Sequence, residues 1–302
     1  MHNTINRTPA ICFGEILWDM LPDGPLPGGA PLNVAYHLNK LGVAASIATR
    51  IGNDHNGQKL ELLLDGWNIK KGLLQKDTVH PTSEVIARMN NGNEVSYDIL
   101  FPVAWDFIGE SNKIKAQLEP SSYLIFGSLA SRNKISRDTL MDVLEADSKK
   151  VFDINLRPPF VNRDILETLL FKADIAKFNE SELETAQLLF GGSFNNEALQ
   201  VKFIQEHFGI PEIIVTKGEF GASYYKNSEA FRVWGQEVKV KDTIGSGDAF
   251  LAAFIANHYL NNDPMTTIKH AAAMGAFIAT KKGGCPDYKI EEYQQITAAY
   301  YN

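Results

Sequence analysis

The sequence predicts an α/β fold in which helices flank a doubly wound, mostly parallel sheet, with a small β-sheet lid set into it. Three observations lead to this prediction. Apolar strand patterns alternate with helix patterns along most of the 302 residues, one segment has the period of an antiparallel hairpin, and the sequence contains no linker, repeat or low-complexity stretch. We therefore expect a single domain over residues 1–302, with a lid insertion at about 83–100 and a contribution from about 15–27.

Composition and charge exclude several classes of function. The net charge is −7 and no basic run occurs, so we expect no nucleic-acid partner. The apolar runs near 249–256 and 271–279 are too short to span a bilayer, and residues 1–9 are polar and carry no signal-peptide pattern. Cys12 and Cys285 lie far apart and form no metal-ligand spacing, which suits a reducing compartment. We expect a cytoplasmic protein with no membrane partner.

Regular elements can be placed along most of the chain from apolar periodicity. A period-two pattern at 83–89 and 94–100, joined by Asn-Asn-Gly-Asn at 90–93, predicts a β-hairpin. A small isolated sheet needs its apolar face covered, so this hairpin is a lid over a site, a dimer surface, or both. Other strands are predicted at 10–14, 43–49, 123–127, 151–155, 174–178, 212–216 and 222–226, and helices at 55–65, 135–146, 264–281 and 290–300.

A glycine pair precedes the first predicted helix. Pro31 fits the first turn of that helix and Gly42 fits its C-terminal stop. Gly28 and Gly29 therefore lie at the helix start, and Asn33 falls in the first turn. Two backbone amides and a side-chain amide at one helix start suit a polyhydroxyl ligand. A plain glycine turn with a solvent-facing asparagine is the simpler explanation of the same residues taken alone.

Polar residues follow two of the predicted parallel strands. Arg157 comes after the strand at 151–155, where α/β sheets bind ligands, although a surface arginine on a proline turn is an equal alternative. Asn179 and Glu182 follow the strand at 174–178 with the spacing of a helix capping box. In a functional interpretation the same two side chains face phosphates and Mg²⁺ across the helix start.

The strand at 212–216 ends in a polar, glycine-rich segment that contains Gly218 and Gly221. Such an exit from a parallel strand, beginning at Thr216, is a candidate nucleotide contact. An ordinary turn into the strand at 222–226 is the alternative.

The stretch Asp-Thr-Ile-Gly-Ser-Gly-Asp-Ala-Phe at 242–250 carries the strongest chemical signal in the chain. Gly245 and Gly247 allow a tight turn into a helix, whose unpaired amides and dipole suit an anion. Asp248, at the same helix start, should stay ionised and can accept a proton from a hydroxyl beside that anion. This combination fits phosphoryl transfer to an alcohol, while a helix cap with a favourable first-turn Asp is the plainer explanation.

Four segments together resemble the ribokinase-like (PfkB) sugar kinases. Residues 28–35, Gly-Gly-Ala-Pro-Leu-Asn-Val-Ala, are similar to the N-terminal signature of the family, and residues 242–250 resemble its C-terminal signature. Residues 179–182, Asn-Glu-Ser-Glu, and 216–221, Thr-Lys-Gly-Glu-Phe-Gly, look like its Asn-x-x-Glu and nucleotide-loop motifs. The resemblance runs in the family's order from about residue 10 to 286.

The resemblance implies a kinase that uses ATP and Mg²⁺, and often a monovalent cation such as K⁺, on a small-molecule sugar beneath the hairpin lid. It implies the following roles: Asp248 as catalytic base; Gly245, Ser246 and Gly247 as anion hole; Thr216, Gly218 and Gly221 at ATP; Asn179 and Glu182 supporting Mg²⁺ and phosphate through water; Asp19, Gly28, Gly29 and Asn33 binding sugar hydroxyls, with Arg157 near sugar or phosphate; and Asp242 at the monovalent cation.

Two departures from the family pattern stand out. Ser246 replaces a more usual Ala, and Ala272 stands where ribokinases often have Asn near the adenine. Residues 28–35 and the Gly-Glu-Ile-Leu-Trp-Asp at 14–19 look most like fructokinases, so we expect phosphorylation of D-fructose at O6. Ribose, a 2-keto-3-deoxy sugar acid or another ketose are the alternatives within the family. A non-catalytic sugar-binding regulator on the same fold is the alternative of a different class. We also expect a homodimer formed through the lid.

Overall fold

The computed structural model of the protein describes residues 9–89, 95–193 and 195–299; the predicted hairpin turn at 90–93 lies outside this range. The strands are β1 Ala10–Phe13, β2 Leu17–Leu21, β3 Gly24–Gly28, β4 Ala45–Gly52, β5 Leu74–Asp77, β6 Ser83–Met89, β7 Val95–Ile99, β8 Tyr123–Gly127, β9 Lys149–Asp153, β10 Ile175–Asn179, β11 Glu212–Thr216, β12 Ala222–Lys226 and β13 Glu229–Val233. The α-helices are α1 Ala30–Lys40, α2 His55–Gly66, α3 Ser111–Lys115, α4 Lys134–Val143, α5 Arg163–Lys172, α6 Glu180–Leu189, α7 Glu197–Phe208, α8 Ser246–Tyr259, α9 Pro264–Ala279 and α10 Ile290–Ala299.

The main sheet confirms the predicted fold class. Its strands run in the order β13-β12-β11-β10-β9-β8-β1-β4-β5, parallel from β11 to β5, with β12 and β13 as an antiparallel edge. Side chains of β1 alternate between two apolar clusters, Ile11 and Phe13 in one, Ala10 and Cys12 in the other. The sheet is therefore buried on both faces. Its parallel strands end at one edge, where ligands bind in such folds.

A second sheet has four strands in the order β3-β2-β6-β7. Asp19 on β2 is paired with Val85 on the parallel strand β6, so the predicted hairpin supports the strand that carries Asp19. Trp18 Nε1 donates to the carbonyl oxygen of Asn56 at 3.1 Å, and Asn56 Nδ2 donates to Glu84 at 2.6 Å. These bonds attach the small sheet to the first turn of α2.

Helices α8 and α9 are both largely buried and pack against each other. In α8 every residue from Ala249 to Asn257 is buried, and small side chains such as Ala252 and Ala253 let α9 approach closely. Asp263 caps α9 by accepting from Thr266 N at 3.0 Å. No helix in the described ranges is long and apolar enough to cross a membrane.

Several element boundaries differ from those predicted. The strand expected at 151–155 lies at Lys149–Asp153, because Asn155 has φ 41° and leaves the extended region. Helices α5 and α7 were not predicted, although each follows an asparagine, Asn162 or Asn196, whose side chain caps it and which is a helix-start signal in the sequence. Strands β5 and β13 were also not predicted. They lie at the two edges of the main sheet, where apolar periodicity is weak.

Candidate active site

A glycine turn leads the chain into α8. Gly245 has φ 75°, in the left-handed region, and a Cβ there would clash with the backbone of Gly284. Ala249 N donates to Gly245 O at 2.8 Å, which is the first hydrogen bond of the helix. The amides of Gly247 and Asp248 come before it and have no acceptor within the helix. Those amides, together with the helix dipole, make the turn suited to bind an anion.

Asp248 lies in the first turn of α8 with one carboxylate oxygen already bound. Asn33 Nδ2 donates to Asp248 Oδ2 at 2.8 Å, which joins the first turns of α1 and α8. Burial raises the pKa of Asp248 to about 6 and Asp153 adds to the rise, while the hydrogen bond from Asn33 and the charges of Lys177 and Arg157 lower it. The helix start alone therefore does not set its ionisation: the carboxylate is charged at neutral pH but titrates much nearer to it than an ordinary Asp.

A buried ion pair that sequence reasoning missed lies beside the same turn. Lys177 Nζ contacts both carboxylate oxygens of Asp153, at 2.9 and 3.0 Å. It also lies 3.6 Å from the point where a Cβ on Gly247 would be. Burial acts to lower the pKa of Lys177, but the charges of Asp153 and Glu182 outweigh it and raise the pKa, so the ammonium stays charged. A positive charge is thus fixed next to the anion-binding amides.

Asn179 and Glu182 form the capping box that their spacing indicates. Asn179 Oδ1 accepts from Glu182 N at 2.8 Å, and Glu182 Oε2 accepts from Asn179 N at 2.9 Å. Glu182 Oε1 accepts from Leu156 N at 3.0 Å, which fixes the chain after β9. Burial first, and Asp153 second, raise the pKa of Glu182. Each oxygen keeps a lone pair for water, so the capping role and a water-mediated role at phosphate are compatible.

A cavity of about 520 Å³ lies between α9 and the loop after β11. The residues expected at ATP, Thr216, Gly218 and Gly221, line one wall, and Ser246 and Gly247 continue it to the glycine turn. Ser246 Oγ is buried and has no hydrogen-bond partner within the described structure. The opposite wall consists of small residues of α9: Ala272, Gly275, Ala276 and Ala279. The cavity is therefore bordered by small side chains of α9 and by the amides of the glycine turn.

The residues expected at the sugar lie on the other side of Asp248. A Cβ on Gly28 would clash with the Asp19 carboxylate. A Cβ on Gly29, whose φ is 106°, would clash with the backbone carbonyl of Glu15. Burial raises the pKa of Asp19 to about 6, Asp242 adds to the rise, and Arg157 opposes it. Arg157 is exposed, and its charge also lowers the pKa of Asp248.

Glu15 is a second residue that sequence reasoning did not place in the site. Its side chain is buried, and Oε2 has no hydrogen-bond partner in the part of the chain that the structure describes. Burial raises its pKa to about 7, with the nearby Arg157 opposing and Asp248 adding to the rise. A charged residue only two positions after the buried strand β1 was the available sequence signal.

Asp242, expected at a monovalent cation, bridges two loops. Its Oδ1 accepts from Ile244 N at 3.1 Å and its Oδ2 accepts from Gly283 N at 2.9 Å. The carboxylate thus ties the glycine turn to the loop after α9. Lone pairs remain on both oxygens for a further ligand.

Comparison with known proteins places this geometry in a family. The pfkB family of carbohydrate kinases matches residues 26–290. The fructokinase of Salmonella typhimurium is 28% identical over 294 residues, covering 90% of this chain and 93% of the relative, and probable fructokinase-7 of Arabidopsis thaliana is 27% identical over 317 residues, covering 93% and 90%. The structure of the Vibrio cholerae O395 fructokinase with fructose, ADP and a calcium ion superimposes with a TM-score of 0.79 at 26% identity, covering 98% and 99% of the two chains. The chain belongs to the pfkB family of carbohydrate kinases.

Proposed function

We propose that this kinase transfers the γ-phosphoryl group of ATP to O6 of D-fructose. The observation that carries the proposal is the joint position of base and anion-binding amides on one helix turn. Asp248 Oδ2 is held by Asn33 at 2.8 Å, which leaves Oδ1 for the acceptor hydroxyl, and the amide of Gly247 lies one residue away. As the new O–P bond forms, the hydroxyl proton passes to Asp248 and the bond to the ADP oxygen breaks.

The other residues are proposed to act on charge and position. Developing negative charge on the transferred group is met by the amides after Gly245, by the unpartnered Ser246 hydroxyl and by the nearby ammonium of Lys177. Thr216, Gly218 and Gly221 position the nucleotide in the cavity that reaches this turn. These assignments are supported by the cavity and by the order of the motifs along the chain.

The charges on the sugar side favour a neutral ketose over a sugar acid. Glu15, Asp19 and Asp248 all have raised pKa values because each carboxyl is buried. A substrate carboxylate would bring a further negative charge beside carboxyl groups whose ionised forms are already disfavoured, with Arg157 as the nearby cation. Fructose carries no charge, and several relatives are named fructokinases. Ribose remains the alternative neutral substrate.

Metal ions are proposed to accompany the nucleotide. No group of three or more His, Cys, Asp or Glu residues that could hold a metal occurs in the described part of the chain, which fits Mg²⁺ held mainly by phosphates and water. Glu182 would reach it through water, with Asn179 holding the Glu182 side chain in place. Mg²⁺ would neutralise phosphate charge when bound. Asp242 is the proposed carboxylate at a K⁺ site.

The direct test is an ADP-release assay against D-fructose, D-ribose, 2-keto-3-deoxygluconate and other ketoses, with Mg²⁺ and with or without K⁺. We expect the highest kcat/KM for fructose, and a ³¹P NMR spectrum of the product that shows a 6-phosphate. A preference for ribose or the sugar acid would reject fructose as substrate. Sugar binding in calorimetry without ADP release for any sugar would instead support a regulator.

A further inference from the structure

Asn33 contacts the base directly, although its motif suggests only a sugar ligand. Its Nδ2 donates to Asp248 Oδ2 at 2.8 Å, and its Oδ1 accepts from Cys285 Sγ at 3.2 Å. The three residues come from α1, from the loop after α9 and from α8. They form a chain of two hydrogen bonds that ends on the catalytic carboxylate.

The chemistry of the two partners fixes the orientation of the Asn33 amide. An ionised carboxylate can only accept, so the amide nitrogen must face Asp248 and the amide oxygen must face Cys285. The thiol is a weak donor and supplies the hydrogen that this oxygen needs. A rotated amide would set its oxygen against the carboxylate, where the two acceptors repel each other.

The loop that carries Cys285 is itself held by the next turn of α1. Tyr36 OH donates to the carbonyl oxygen of Pro286 at 2.6 Å, and His37 Nε2 donates to that of Gly284 at 2.9 Å. Tyr288 OH then donates to His37 Nδ1 at 3.0 Å. Burial lowers the pKa of His37 to about 3, so the ring is neutral and these bonds persist across the working pH range. Cys285 is therefore held against Asn33 by bonds on both sides of it.

Resting on the proposed role of Asp248 as base, we propose that Asn33, oriented by Cys285, is a positioning residue: it holds one oxygen of the Asp248 carboxylate so that the other faces the substrate hydroxyl. The same bond favours the ionised form of the base, because it is made to the charged acceptor. Other groups act on this carboxylate as well. They are Asp153, Lys177 and Arg157, and Glu15 on the sugar side. The thiols of Cys12 and Cys285 stay neutral, because burial and the charge of Asp248 raise their pKa values, so neither adds a charge that acts on the base.

The test compares Asn33→Ala and Cys285→Ala with Cys285→Ser and with a control, Cys12→Ala, which removes the other cysteine thiol. For Asn33→Ala we expect kcat to fall at least tenfold and the acid limb of kcat/KM to move to higher pH by roughly one unit, because the lost hydrogen bond favours the ionised form of the base. Cys285→Ala should lower kcat severalfold. Cys285→Ser, which keeps a donor, and Cys12→Ala should stay within about twofold of the wild type.

A residue that only binds sugar would raise the sugar KM and leave the acid limb where it is, and that result for Asn33→Ala overturns the proposal. Equal kcat values for Cys285→Ala and Cys285→Ser overturn the part assigned to Cys285.

A second measurement needs no turnover. The difference in thermal midpoint between the wild type and Asp248→Asn, followed against pH, reports the titration of Asp248 in the folded protein. In the Asn33→Ala background, the pH at which this difference reaches half of its full value should be higher than in the wild-type background. If that pH is unchanged, the proposal is rejected even if kinase activity is lost for another reason. Full activity of Asp248→Asn would reject the proposed base instead, so the two failures are distinguishable.

Discussion

At the residue scale, the chemistry depends on a carboxylate that is costly to bury. Asp248 has a pKa raised to about 6 mainly by burial, and it is brought towards its ionised form by Asn33, Lys177 and Arg157. A base that titrates close to working pH accepts a proton readily and still is mostly ionised when the substrate arrives. Burial and the neighbouring groups therefore shift the pKa of Asp248 in opposite directions.

Replacing the base by its neutral isostere gives the first prediction. Asp248→Asn keeps the shape of the side chain but cannot accept the hydroxyl proton, and loss of a general base costs roughly 10²–10⁴ in rate. We expect kcat to fall by at least a hundredfold while the affinity for ATP, measured by calorimetry, changes little. A variant with near wild-type turnover would remove Asp248 from the mechanism.

The same substitution has an opposite effect on stability, with a defined pH dependence. The folded-state pKa of Asp248, about 6, lies above its ordinary value of 3.8, so the folded protein binds the proton more tightly than the unfolded chain. The ionised carboxylate therefore costs stability above pH 6, and this cost disappears as pH falls from about 6 to about 4. We expect Asp248→Asn to raise the thermal midpoint at pH 8 and to leave it unchanged near pH 4. An unchanged midpoint at pH 8 would contradict the raised pKa.

The Asp153–Lys177 pair yields a third prediction at this scale. Both side chains are almost fully buried, at 6% and 8% exposed, so removing one partner leaves an unpaired buried charge. We expect Lys177→Met to cost about 3–5 kcal/mol of unfolding free energy in denaturant titrations. The double variant Asp153→Leu/Lys177→Met should recover most of that stability but not the kcat, because the charge beside Gly247 is still absent. Recovery of both would make the pair purely structural.

At the element scale, the sequence was most informative where one helix or turn contained the whole signal. The capping box at Asn179 and the glycine turn at Gly245 need only neighbouring residues, and both are present. The Lys177–Asp153 pair needs the register of two parallel strands, in which these residues are directly paired. A lysine in the apolar strand Ile175–Asn179 was a usable clue, but its partner could not be identified before the strands were aligned.

Contacts between distant loops were beyond sequence reasoning for the same reason. Asn33 and Cys285 are separated by 252 positions, and Tyr36 and Pro286 by 250. Nothing in local periodicity states that α1 and the loop after α9 meet. The position of Cys285 in the sequence likewise does not indicate that its thiol contacts the Asn33 amide in the site.

Removing one hydroxyl group tests how the loop after α9 is attached to α1. Tyr36→Phe removes the donor to the Pro286 carbonyl and leaves the rest of the ring in place, at a cost of about 1–2 kcal/mol for an unsatisfied, partly buried acceptor. We expect a lower free energy of unfolding and, because Cys285 is next to Pro286, a reduced kcat. Tyr259→Phe on α8, a residue that is 40% exposed, is the matched control and should change neither quantity. Equal behaviour of the two variants would show that the loop does not depend on Tyr36.

At the scale of the whole molecule, the four-stranded sheet also contacts the loop after α9, which carries Cys285. Leu26 on β3 lies where a Cβ on Gly283 would clash, and Lys282 Nζ contacts Asp23 at 2.7 Å. Strand β2 carries Asp19 towards the sugar side, with β6 paired to it. Movement of the small sheet would therefore shift both Asp19 and the loop that positions Asn33.

This arrangement supports the last prediction, that the small sheet closes over the sugar and joins two subunits. Closure would exclude water from the phosphoryl group, which limits ATP hydrolysis without sugar. A twofold mate would cover the apolar face of the sheet, as in a closed dimer. We expect sugar to slow hydrogen exchange in residues 17–28 and 83–99. Replacing residues 84–99 by a short Gly-Ser loop should raise the sugar KM and weaken the dimer together. Unchanged exchange with an unchanged KM would reject the lid, and a monomer in sedimentation at micromolar concentration would separately reject the dimer.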